Sequence, residues 1–125
     1  MKVTMDLTDK DIADVLCSGM EGGINYWAQI TGYKKPKSVK FRIFKGELFK
    51  HIDYPMNDGG AVIITDLEAR TSRKYNLTKG KLQKGLQLMS EKYPNHFANV
   101  VSGNFDAETG DVLVQLALFR EVIYG

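Results

Sequence analysis

The chain is poor in the residues that usually announce chemistry. It has one cysteine, two histidines, one tryptophan and three prolines in 125 residues. A lone Cys17 cannot form an internal disulfide, so the fold does not rest on an oxidising compartment. His51 and His96 each lack a nearby Cys or His partner, and neither Cys-x-x-Cys nor His-Glu-x-x-His spacing occurs. Gly-x-Gly-x-x-Gly, the Walker pattern and the Gly-x-Ser-x-Gly elbow are all missing. No run approaches the roughly 20 apolar residues of a membrane span. The first residues, Met1 to Leu7, lack the apolar stretch of a signal peptide. These absences set the expectation of a cytoplasmic, non-membrane, non-enzymatic protein with no metal and no cofactor.

What is present suits a single domain over 1–125, because 43% of the residues are hydrophobic. The net charge of +2 conceals a bipolar chain. Between Tyr33 and Lys50 seven bases face only Glu47, a local +6, which leaves −4 for the remainder. This basic segment, 33–50, reads either as a strand with a basic outer face or as an arm or insertion.

Hydrophobic periodicity predicts the elements. Thr8 caps a first helix, with Asp11 as its capping-box partner, and Ile12, Val15, Leu16 and Met20 form one face. Gly19 on that face allows close packing, and Gly22-Gly23 ends the helix through a left-handed cap. Strands are expected at Ala28–Tyr33, Ala61–Leu67 and Arg73–Leu77, the last two forming a hairpin. His51 to Gly60 reads as a loop. Thr78 caps a second helix carrying Leu82, Leu86, Met89 and Tyr93, stopped by Pro94-Asn95. The segment 96–105 stays ambiguous. Asp106 caps a third helix through Phe119, apolar nearly all round, which suits burial on several sides or a subunit interface. A strand over Val112 to Leu118 is the alternative. The fold class is α+β, a small mainly antiparallel sheet packed with about three helices.

Two local patterns bear on ligands. Asn104-x-Asp106-x-Glu108-x-Gly110-Asp111 is a poor calcium loop: its glycine falls one position late, and Gln115 replaces the expected Glu. Helix capping by Asp106 is the better account. Gly22-Gly23 followed by Asn25, Tyr26 and Trp27 is more suggestive, because exposed glycine amides hold anions and aromatic rings stack on bases. On this reading Tyr26 or Trp27 stacks, Asn25 reads a base edge, and Lys34, Lys35, Arg42 or Arg73 holds phosphates. The bland alternative is a helix end followed by core aromatics. A pI of about 8.6 and two acidic ends favour a compact phosphate-bearing nucleotide over a long duplex. Charge complementarity between ends and middle also fits a homo-oligomer or docking on an acidic partner.

Two stretches, Asp11 to Trp27 with its Glu-Gly-Gly-Ile-Asn-Tyr-Trp exit and Gly110 to Gly125 with its Val-Gln-Leu-Ala-Leu-Phe-Arg-Glu-Val-Ile-Tyr-Gly end, resemble a family of small, functionally unassigned bacteriophage and prophage proteins. The hairpin and the Leu-Thr-Lys-Gly-Lys-Leu-Gln-Lys-Gly-Leu helix start also fit it. The basic stretch from Lys34 to Lys50 departs from it. The resemblance implies a phage protein in a bacterial host cytoplasm and transfers no catalytic residue. In that setting the expected activity is anti-defence: sequestration of a small anionic nucleotide immune signal. The alternatives are inhibition of a host defence protein and binding of nucleic acid.

Overall fold

The computed structural model describes residues 7–39 and 50–125. Arg42 and most of the basic segment lie outside these residues. Helix α1 (Asp9–Ser18) runs into a π-helical turn (Gly19–Gly23) and then strand β1 (Ala28–Lys34). A 3-10 turn (Lys50–Met56) precedes strands β2 (Ala61–Asp66) and β3 (Arg73–Leu77). Helices α2 (Lys79–Lys92), α3 (Pro94–Ser102) and α4 (Ala107–Phe119) follow. The three strands form an antiparallel sheet in the order β1-β2-β3. The protein is a small α+β fold with four α-helices among the described residues. The additional helix, α3, occupies the ambiguous segment. Pro94 stands in its first turn, where a missing N–H costs nothing, so the residue that stops α2 also starts α3.

Local chemistry accounts for the boundaries. The Thr8 hydroxyl accepts from the Asp11 amide at 3.2 Å and Asp11 Oδ2 accepts from the Thr8 amide at 2.9 Å, completing the capping box. Thr78 and Asp106 cap α2 and α4 through the amides of Lys81 and Thr109. The predicted face of α1 is buried, as are Leu82, Leu86 and Met89 of α2.

One expectation is corrected. Gly22 and Gly23 are not left-handed: among the described residues the positive-φ glycines are Gly59, Gly103 and Gly125. The helix instead widens into a π turn that ends at Ile24 in the right-handed region. Gly19 and Gly23 serve close contact with α4, whereas Gly22 faces open space. A Cβ on Gly110 would sit 2.3 Å from the Gly19 amide nitrogen, and one on Gly23 would sit 2.3 Å from the Ala107 carbonyl oxygen. Small residues thus let the α1 exit and α4 meet backbone to backbone.

Helix α4 runs through the centre. Every residue from Thr109 to Ala117 is buried within the single chain. Its apolar surplus is covered by α1, α2 and the sheet, so it carries no argument for a second subunit. No helix among the described residues is long and apolar enough to cross a membrane.

Candidate functional site

The two quoted stretches converge on one polar junction inside the core. Asp111, on α4, accepts from the Tyr26 phenol at 2.5 Å through Oδ2. Its Oδ1 accepts from the Trp27 indole N–H at 2.7 Å and from the Gln115 amide at 3.0 Å. Gln115 is fully buried, and its Oε1 accepts from the backbone amides of Ile123 and Tyr124, both at 2.9 Å. The same amide nitrogen lies 3.2 Å from the Tyr124 carbonyl oxygen and 3.3 Å from the Tyr26 oxygen. The Tyr124 phenol donates to Asp66 Oδ2 at 2.6 Å, while Asp66 Oδ1 accepts from the amides of Glu68 and Ala69. The Tyr124 ring stacks on Trp27 with centroids 5.2 Å apart. Three protein donors thus converge on this buried carboxylate, which offsets much of the cost of taking it out of water.

The tyrosines respond accordingly. Burial and the bond to Asp111 push the Tyr26 phenol up to about 12. The bond to Asp66, followed by burial, does the same for Tyr124, also to about 12. Cys17 is buried, and loss of solvation lifts its thiol to about 11, so at neutral pH it is a protonated core residue and no nucleophile.

Sequence reasoning underrated Asp111, Gln115 and Tyr124. The signal was available. Asp111 and Gln115 stand at i and i+4, so they share one face of a helix that is otherwise apolar. Two polar groups on one such face need each other or a third partner.

The expected ligand residues separate. Trp27 is fully buried, wedged beneath Tyr124 and bonded to Asp111, so its ring cannot stack on a ligand. The core reading holds for it. Tyr26 stays half exposed, and with Gly22 and Gly23 it lines an open cavity of about 540 Å3 together with Tyr93, His96 and Glu108. Asn25 is exposed on another side, beside Met20, Gln29 and Leu67. Arg73 is exposed on the outer strand β3, opposite Asp66. Lys34 stands at the far end of β1, about 20 Å from Ala28 at roughly 3.3 Å per residue. It lines a second cavity of about 410 Å3, between the Asn57–Gly60 loop and the first turn of α2. Lys35 is exposed just beyond it.

This second cavity has a positive wall. Lys34 and Lys79 both line it, and Thr78 to Gly80 bring the positive end of the α2 dipole. Lys79 also contacts Asp9 at 3.0 Å, and Asp58 is the single carboxylate among the described wall residues. The near calcium pattern resolves as protein structure, with Asp106 capping α4 through the Thr109 amide at 3.0 Å and Asp111 occupied by its three donors.

A scan against family models, a search of curated proteins and a search of solved structures each found no match to this chain.

Proposed function

We propose that the protein is a non-enzymatic binding protein that captures a small phosphate-bearing ligand in the cavity between Lys34 and Lys79. The observation that carries this reading is that a predicted phosphate-holding lysine and the N-terminal turn of a 14-residue helix share one cavity of ligand size. The wall offers cations and backbone amides but no nucleophile beside a base, which suits capture and not turnover. The likeness to phage proteins supplies the setting, sequestration of a nucleotide signal of host immunity. No aromatic ring lines this cavity among the described residues, so recognition falls on phosphate and polar edges, with the exposed Asn76 on its wall.

Calorimetry with cyclic dinucleotides, cyclic trinucleotides and cyclic ADP-ribose isomers tests the proposal, with inorganic phosphate as the baseline. At least one nucleotide should bind, and Lys34→Ala should weaken it about tenfold, the value of one charge-assisted contact. Absence of heat with every compound, from protein shown to be folded, would sink the idea. The competing readings, docking on an acidic host protein or binding nucleic acid, rest on the basic stretch Lys34 to Lys50, of which residues 40–49 lie outside the described residues.

A further inference from the structure

The cavity above the buried junction has the opposite chemistry. Its wall carries the rings of Tyr26, Tyr93 and Tyr124, the imidazole of His96, and the carboxylates of Glu108 and Asp111. No lysine or arginine stands among its described residues. The hydroxyl hydrogens of Tyr26 and Tyr124 are committed to Asp111 and Asp66. These tyrosines therefore offer a ligand only electron-rich surface, the π face and the oxygen lone pairs. His96 is held in a similar way. Its Nδ1 lies 2.9 Å from the Thr109 hydroxyl, whose oxygen is 3.3 Å from Asp106 Oδ1. With the threonine hydrogen on Asp106, the imidazole Nδ1–H donates to the threonine oxygen, which fixes the ring in place. Glu108 lies in the first turn of α4, exposed, and close enough to Tyr26 to oppose its ionisation.

The positive end of the α4 dipole at Ala107 also reaches this cavity, but Glu108 and the N-cap Asp106 carboxylate stand against it, and acceptors, π faces and a carboxylate around about 540 Å3 attract a cation. We propose that this cavity binds a small organic cation bearing an alkylated ammonium group, with Tyr26 and Tyr93 as the aromatic walls and Glu108 as the counter-charge. An alkylated ammonium fits better than a metal ion. Asp111 already has its oxygens filled by protein donors, and rings are poor metal ligands but good partners for a diffuse positive charge. This site is separate from the phosphate cavity at the other end of β1, and neither proposal depends on the other.

The test compares choline with 3,3-dimethylbutan-1-ol, its uncharged isostere, by amide shifts in NMR titrations of the full chain. Choline should move the amides of Gly22, Gly23, Ala107 and Glu108 at millimolar concentration, and the isostere should bind at least about fivefold more weakly. Glu108→Gln, an exposed change outside the junction, should weaken choline by a similar factor. Tyr93→Phe should keep the affinity and Tyr93→Leu should lose it, because the ring is the binding group. Equal binding of choline and the isostere would overturn the proposal by showing a merely apolar cavity. It is equally overturned by an absence of choline shifts, by unchanged affinity in Glu108→Gln, or by shifts confined to Lys34 and Lys79.

Discussion

The two ends of β1 meet opposite chemistry. Next to Ala28, the chain leads back through Trp27 and Tyr26 into a buried carboxylate closed by three side chains. At Lys34 it opens on an exposed lysine, a loop and a helix start. One end is held by hydrogen bonds that water cannot replace; the other is solvated and contributes little to stability. Residues near each other in sequence thus belong to different sites, since a seven-residue strand carries the chain about 20 Å. The aromatic and basic residues that read as one nucleotide pocket are divided by that strand.

Substitutions at the two ends should differ sharply. Asp111→Ala removes the acceptor for the Tyr26 phenol, the Trp27 indole and the Gln115 amide together. It should cost about 3 kcal/mol or more, because each stranded buried donor keeps its desolvation penalty. Thermal or urea unfolding checks this, and a loss below about 1 kcal/mol would show that the junction does not hold the fold. Gly110→Ala comes next. Its methyl would press on the Gly19 backbone, and the α1 exit and α4 would have to separate, at about 2 kcal/mol.

Tyr124→Phe should cost about 1 kcal/mol at neutral pH through the lost bond to Asp66. It also has a pH signature. The folded phenols of Tyr26 and Tyr124 titrate at about 12 against an ordinary 10.0, so the folded state keeps protons that the unfolded chain releases. Their contribution is whole below pH 10, declines above it and is gone past 12. Stability should therefore fall across that alkaline window, and Tyr124→Phe should make the fall shallower. An unchanged slope would mean that Tyr124 is not protected by Asp66. Smallest of all, Lys34→Ala should shift unfolding by less than about 0.5 kcal/mol while weakening the nucleotide, so its effect should appear in calorimetry alone.

Most of the fold was legible because it is written in local patterns. The caps at Thr8, Thr78 and Asp106, the apolar face of α1 and the β3 boundaries all follow from neighbours a few residues apart. The Gly22-Gly23 geometry was not. A helix exit reads as a left-handed cap when seen alone, and only the approach of Ala107, far along the chain, shows why a side chain is excluded at Gly23. Trp27 poses the same problem. A tryptophan beside an exposed tyrosine and an asparagine looks like a binding surface until Asp111 arrives to take its N–H. Gln115 looked like a failed calcium ligand because a buried amide has meaning only with the backbone groups it serves. Long-range partners decided each of these cases, and local spacing does not encode them.

The bond between Tyr26 and Asp111 joins residues 85 positions apart in a chain of 125. Closing so long a loop is entropically costly and slow, whereas Gln115 reaches Tyr124 across only nine residues. A ligand in the cavity above this junction would bind only chains in which this long-range contact has formed, and would draw the folding equilibrium toward them.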